Sequence, residues 1–139
     1  MSQDVELILV RGLPGSGKST FARKYYSHYA HFEADMFFEQ KGRYVPALIG
    51  KAHEWCQHQT LKALQARQSV VVSNTATRRW ELAPYLEIAA KTGAKVKVVK
   101  CVGKFCNIHN VPVRTLEDMR KRWEDVEGET VYNPHDEVG

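Results

Sequence analysis

Gly12-Leu-Pro-Gly-Ser-Gly-Lys-Ser19 fits the spacing G-x-x-x-x-G-K-[ST]. Glycines let a chain curl with its N–H groups pointing inward, and the first turn of a following helix adds more donors, so such a loop makes an anion nest. Lys18 is placed to reach the β- and γ-phosphates of a nucleoside triphosphate, and the Ser19 hydroxyl to ligate Mg²⁺. Gly12, Pro14, Gly15, Ser16, Gly17, Lys18, Ser19 and Thr20 are therefore the candidate nucleotide-binding residues, with Lys18 also a candidate catalytic cation. The chemistry this implies is binding of ATP with Mg²⁺, and phosphoryl transfer.

Phosphoryl transfer to a hydroxyl also needs a group to take the proton. Asp35 follows a short apolar stretch and precedes Met-Phe-Phe, where a carboxylate can face the γ-phosphate as a general base. The same residue can instead cap a short helix, and the two roles are compatible. The strand over residues 69–72 should end in an acid holding the water shell of the metal, yet it runs into Ser73-Asn74-Thr75. Neutral oxygens can bond that water but supply less charge. Phe37, Phe38, Tyr44 and Trp80 flank these loops, as core residues or as surfaces on which a base can stack. His53 and His109 read as packing or hydrogen-bonding residues, and no histidine pair has zinc spacing with a carboxylate partner.

The elements that must position these residues alternate. Residues 5–10 and 69–72 read as buried strands, 31–34 as a second short strand ending on Asp35, and 95–102 as a strand that alternates before turning apolar. Helices are expected over 20–26, 47–67 and 80–92, the last with Pro84 in its first turn, and from Thr115, where a hydroxyl precedes an acid by three residues, to about 124. Alternation of strand and helix predicts an α/β three-layer sandwich with a mostly parallel sheet of four to five strands. Ligands bind beyond the carboxyl ends of such strands. Four loops lie there: 12–19, 35–38, 73–78 and 103–114. The expectation is a single domain over 1–139, with 125–139 as an irregular tail.

The 139 residues are 43% apolar and 26% charged, the make-up of an ordinary globular chain. The longest apolar run, residues 7–10, is too short to span a bilayer, and the acidic N-terminus lacks a signal peptide's basic region. Cys56, Cys101 and Cys106 are scattered without a CxxC pair, which suits reduced thiols in the cytoplasm. A net charge of +4 suits a partner that carries phosphates. Basic residues crowd the second half, including Arg78, Arg79, Lys104, Arg114, Arg120, Lys121 and Arg122, as a solvated face or as a functional patch.

From about residue 7 to residue 124 the chain resembles the polynucleotide-kinase-like branch of P-loop phosphotransferases. The likeness is carried by Leu-Val-Arg-Gly-Leu-Pro-Gly-Ser-Gly-Lys-Ser-Thr20, Glu-Ala-Asp-Met-Phe-Phe38, Ala-His-Glu-Trp55, Val-Val-Val-Ser-Asn-Thr75, Trp-Glu-Leu-Ala-Pro-Tyr85 and Asn-Ile-His-Asn-Val-Pro112. The first block is generic to P-loop proteins; the order and spacing of the later ones are more specific. The resemblance implies ATP and Mg²⁺ bound by residues 15–20, the catalytic aspartate at Asp35, a substrate- or phosphate-facing role for Asn74 and Thr75, and a lid formed by 103–114. The chain departs from the branch at Ser73, where an aspartate is common, and at Phe105-Cys106, where one or two arginines are common. Lys104 and Arg114 are candidate replacements for the lid cation, and Arg78 is a further phosphate- or substrate-facing candidate.

The expected activity is transfer of the γ-phosphoryl group of ATP to a hydroxyl, with the 5′-hydroxyl end of a nucleic acid as acceptor. Two alternatives are a kinase acting on a small molecule (a nucleoside, metabolite or antibiotic) and an ATP-binding regulatory module without catalysis.

Overall fold

The computed structural model of the protein describes residues 4–104 and 111–136. Five strands form one sheet: β1 (Glu6–Arg11), β2 (Ala30–Phe32), β3 (Val70–Asn74), β4 (Lys95–Cys101) and β5 (Thr130–Tyr132). Their order is β2-β3-β1-β4-β5 and every neighbouring pair is parallel. Helices α1 (Lys18–Tyr25), α2 (Asp35–Lys41), α3 (Ile49–Gln65), α4 (Ala83–Thr92) and α5 (Val113–Arg122) connect them.

The period of two along the central strands decides which helices cover which face. Val5, Leu7 and Leu9 join Val70 and Val72 in one core with Phe38 of α2, Ala52, Cys56 and Leu64 of α3, and Tyr85 and Ala89 of α4. Ile8 and Val10 point the other way, meeting Val71, Val99 and Cys101 beneath Phe21 and Ala22 of α1. Because both faces of β1 and β3 are covered, residues 7–10 and 70–72 are continuous apolar runs, as parallel sheets favour. Each fully buried aliphatic side chain contributes about 1.5–3 kcal/mol by leaving water. Slipping β1 by one position would exchange its two faces, so the register that aligns Leu9 with Val72 and Val98 is strongly specified.

Several boundaries differ from the sequence expectation. β3 extends through Ser73 and Asn74, placing both on the sheet instead of in a loop. Asp35 opens α2 instead of closing β2. A 3-10 turn over Pro46–Leu48 precedes α3, and another over Arg79–Glu81 carries Trp80, so α4 starts only at Ala83 with its proline in the first turn. Helix α5 starts at Val113, so the final residues of the 103–114 segment are helical. Pro112 is its N-cap at φ −57°, a value the ring imposes anyway, and no side chain makes a capping bond. The Thr115 capping box is therefore not formed. The stretch from residue 125 onward, expected to be irregular, contains β5. Gly128, at φ +82°, allows the turn before it, and Thr130, Val131 and Tyr132 pair with Val99, Lys100 and Cys101. Tyr132 packs against Phe21 with ring centroids 4.7 Å apart and planes tilted, which gives the short strand an apolar anchor that its acidic surroundings conceal.

Candidate nucleotide site

Between β1 and α1 the chain turns through two left-handed glycines, Gly15 (φ +79°) and Gly17 (φ +94°), and Gly17 is the N-cap of α1. Side chains rarely tolerate these angles, which accounts for glycine at both positions. Gly12 is constrained differently: a Cβ there would run into Ser16 Oγ and lie 2.7 Å from the Cys101 carbonyl. The loop is tied to its neighbours by Gly12 N–H donating to the Thr75 carbonyl (3.3 Å) and Gly103 N–H donating to the Ser16 carbonyl (3.1 Å). Ser16 Oγ is buried with no hydrogen-bond partner among the described residues. Leaving a buried hydroxyl unpaired costs about 1–3 kcal/mol, so this loop is arranged for a partner that supplies the missing bond.

Lys18 folds back over the loop, its Nζ donating to the Leu13 carbonyl at 3.1 Å. Burial pushes its pKa below the usual lysine value, while Glu33, Cys101 and Asp35 act in the opposite sense. Pro14 lies within the loop, and Thr20 is exposed on the first turn of α1.

Ser19 Oγ donates to Glu33 Oε2. Glu33 stands just past β2, and its Oε2 lies 3.1 Å from His31 Nε2. That same nitrogen is 2.9 Å from Ser73 Oγ. Burial alone would raise the Glu33 carboxyl, but hydrogen bonds from His31 and Ser19, with the charges of His31 and Lys18, outweigh it and hold the pKa below the ordinary glutamate value. Neither Glu33 nor His31 was marked by the spacing of the sequence. The one signal in the sequence is position: Glu33 sits at the carboxyl end of a strand, like the other candidates.

Asp35 is exposed at the first position of α2 and makes no capping bond; the N-cap is Ala34. The capping role the sequence allowed is thus not the one it plays. Asn74 instead organises this corner: its Oδ1 accepts from Ala34 N–H at 3.0 Å, and its Nδ2 approaches Tyr85 OH at 3.5 Å. Asn74 therefore holds the turn that carries Asp35. Beside it lies a cavity of about 20 Å³, whose polar lining is His53, Asn74, Glu81 and Tyr85. His53 is half-buried on α3 and lines this cavity.

Thr75 contributes its carbonyl to Gly12, as above. Arg78 is exposed, and its N–H donates to Glu81 Oε2 at 2.9 Å. Lys104 is exposed beyond β4, its N–H donating to His135 Nε2 at 2.9 Å. Arg114 is exposed in the first turn of α5. Phe105, Cys106 and His109, and with them most of the expected lid, lie outside the described residues.

Arg11 went unremarked as a functional candidate, yet it is fully buried where β1 enters the loop. Its Nη2 donates to the carbonyls of Ala76 (2.7 Å), Thr77 (3.1 Å) and Glu124 (2.7 Å), and its Nε to Ala76 (3.0 Å). Nη1 pairs with Glu129 at 3.1 Å, and the guanidinium lies 4.2 Å above the Trp123 ring. One side chain thus fastens the loop after β3 and the chain after α5 to the base of the phosphate loop. A charge ending an apolar strand is visible in the sequence; its hydrogen-bonding partners, from 65 to 118 residues away, are not.

A five-stranded parallel sheet with a glycine-curled loop after β1, a lysine folded over that loop and a hydroxyl at the head of α1 defines a P-loop kinase-like α/β protein. The chain belongs to the AAA-domain family, whose profile matches residues 7–104. NEDD4-binding protein 2 of Homo sapiens is 35% identical over 96 residues, covering 65% of this chain and 5% of that protein. The chain therefore spans only a small part of this relative. Among solved structures, Kti12 of Chaetomium thermophilum, in complex with ADP-AlF3, superposes with a TM-score of 0.71 at 15% identity, covering 94% of this chain and 90% of that one. The APS kinase CysC of Mycobacterium tuberculosis, in complex with AMPPNP and APS, gives a TM-score of 0.65 at 15% identity over 99% and 92%. The Pnkp1/Rnl/Hen1 RNA repair complex contains a chain with a TM-score of 0.63 at 19% identity, over 92% of this chain and 42% of that one. These likenesses bear on the fold. No helix among the described residues is long and apolar enough to cross a membrane.

Proposed function

We propose that this protein is a cytoplasmic ATP-dependent kinase that transfers the γ-phosphoryl group to a hydroxyl, with the 5′-hydroxyl of a nucleic acid as acceptor. The observation that carries the reading is the loop itself, with an unpartnered buried hydroxyl at Ser16 and Lys18 folded over it, and with Asp35 near enough for its charge to act on that lysine. The loop from Gly12 to Thr20 would hold the triphosphate through its N–H groups and Ser16, with Lys18 on the β- and γ-oxygens. Ser19 and Glu33 offer the oxygen donors a hard cation prefers, and bound Mg²⁺ would neutralise charge on the phosphates. Asp35, uncommitted to a cap, accepts the proton as the acceptor oxygen bonds to the γ-phosphorus and the bond to the β,γ-bridging oxygen breaks, leaving ADP.

Open access favours a polymeric acceptor. Asp35 faces solvent, and the cavity beside Asn74 holds about one water, too little for a sugar ring. Trp80 and Tyr44 are 70% and 59% exposed, surfaces on which bases can stack, and Arg78 and Arg79 add exposed cations. The polar groups lining the cavity (His53, Glu81 and Tyr85) favour a second reading, a small hydroxyl compound as the acceptor.

The test is a transfer screen with γ-labelled ATP against oligonucleotides bearing 5′-hydroxyl or 5′-phosphate ends and against pooled small alcohols, sugars and nucleosides. Label on 5′-hydroxyl oligonucleotides alone is the expected result. Label confined to a small compound selects the second reading, and ATP binding without transfer to any hydroxyl rejects both.

A further inference from the structure

We infer that Glu33 is the magnesium-side carboxylate of the nucleotide site, serving from β2 the position that β3 leaves to Ser73. This rests on the reading of the loop as an ATP site.

The argument starts from what the hydroxyl after the loop lysine must do. A serine ligates a hard cation through its oxygen lone pairs, and its proton must therefore go elsewhere. Ser19 O–H donates its hydrogen bond to Glu33 Oε2. The hydroxyl is thereby turned with its lone pairs free, and a negative charge is fixed next to them. Carboxylates that orient a ligand in this way are as much part of a metal site as the ligand itself.

The geometry explains why the acid comes from β2. The last registered pair of these strands is Phe32 with Val72, so Glu33 stands level with Ser73 one position further on. His31 Nε2 lies within hydrogen-bond distance of both Glu33 and Ser73, at 3.1 and 2.9 Å, and links the two strand ends. The carboxylate is thus held by a ring on β2 and touches Ser19, while among the described residues the Ser73 hydroxyl reaches the imidazole alone. Asp35 cannot substitute, because it is exposed on α2 and Ser19 bonds Glu33 instead.

A purely structural Glu33, paired with His31 to secure the strand end, would affect melting but not the dependence of nucleotide binding on magnesium. ATP affinity is therefore measured by calorimetry for the whole chain, with Mg²⁺ and with EDTA, alongside a thermal melt. Wild type is expected to bind ATP more tightly with Mg²⁺. Glu33→Gln should keep its affinity in EDTA and lose about tenfold to a hundredfold of the Mg²⁺-dependent gain. Adding Ser73→Asp to that variant should restore a substantial part of the gain, by returning a carboxylate to the neighbouring strand end. If Glu33→Gln shows no cooperative melt, Glu33→Asp, which keeps the charge but retracts it by a methylene, decides the matter through the same ratio. An unchanged Mg²⁺ gain in a folded Glu33→Gln or, failing that, in Glu33→Asp overturns the inference. Wild type binding ATP equally with and without Mg²⁺ overturns this inference alone, whereas wild type binding no ATP at all overturns the nucleotide reading and the inference with it.

Discussion

Arg11 and Glu129 meet at 3.1 Å although 118 residues separate them, and both side chains are buried. The pair closes the molecule around its phosphate loop, since Arg11 immediately precedes Gly12 and Glu129 immediately precedes β5. Glu129 is itself committed, its second oxygen accepting from Val126 N–H at 2.9 Å. A buried guanidinium with this many acceptors is stable only while they all remain, because an uncompensated buried charge costs far more than the pair gains.

Arg11→Met is expected to relieve the buried charge yet orphan the carbonyls of Ala76, Thr77 and Glu124 together with Glu129. Glu129→Gln leaves Arg11 buried without its counter-charge and should cost about 3–5 kcal/mol, lowering the melting temperature by well over ten degrees in a domain of this size. Thermal melts of both variants check this. A melting temperature within two or three degrees of wild type for Glu129→Gln would show that the pair holds nothing together.

Asn74→Ala removes the acceptor for Ala34 N–H and so frees the turn that carries Asp35. Turnover is expected to fall by about tenfold to a hundredfold while ATP affinity stays within about threefold, because the loop of Gly12 to Thr20 is not touched. Steady-state kinetics with parallel calorimetry separates the two quantities. Equal losses in both would place Asn74 in nucleotide binding instead.

Asp35→Asn keeps the shape and polarity of the first residue of α2 but cannot accept a proton. If Asp35 is the general base, turnover drops by about two to four powers of ten with little change in ATP affinity. Undiminished transfer by this variant would remove the proposed base.

How much of this was legible beforehand depends on the range of the interactions. The phosphate loop, the parallel α/β sheet and the central strands follow from local patterns: a glycine spacing, and apolar runs broken by turn residues. The polarity of Ser73 and Asn74 reads as a loop, whereas the sheet holds both in β3 and satisfies them through His31 and Ala34. Strand β5 was hidden because three residues among acids and a proline carry no periodicity; Tyr132 becomes an anchor only when Phe21 is brought beneath it. Arg11 and Glu33 were unremarked for the same reason. Each acts through partners on other strands, and no spacing within one segment encodes them.

Cys101 lies at the end of β4 against the phosphate loop, 2% exposed. Burial pushes its thiol up to about 11 from an ordinary 9.0, the Lys18 charge opposing the change. The sign follows: the unfolded thiol loses its proton near 9.0 while the native one keeps it to about 11. This contribution to stability is therefore full below the unfolded value and declines as pH rises through that window. At pH 8 the native Cys101 should resist iodoacetamide and react only in denaturant, as read by peptide mass spectrometry. Rapid native labelling at Cys101 would contradict its burial and its raised pKa.

The most direct measurement is a calorimetric titration of ATP with Mg²⁺ into wild type and Lys18→Ala, with melting curves to confirm that both are folded. Lys18 folds back over the phosphate loop, and its ammonium is the loop cation proposed to reach the β- and γ-phosphates. Its removal should weaken ATP binding by about two powers of ten, the scale of a charge-assisted contact worth about 1.5–3 kcal/mol. Saturable binding by wild type together with that loss is the predicted result. Wild type that fails to bind ATP, or a folded Lys18→Ala that binds within a few-fold of it, would contradict the account.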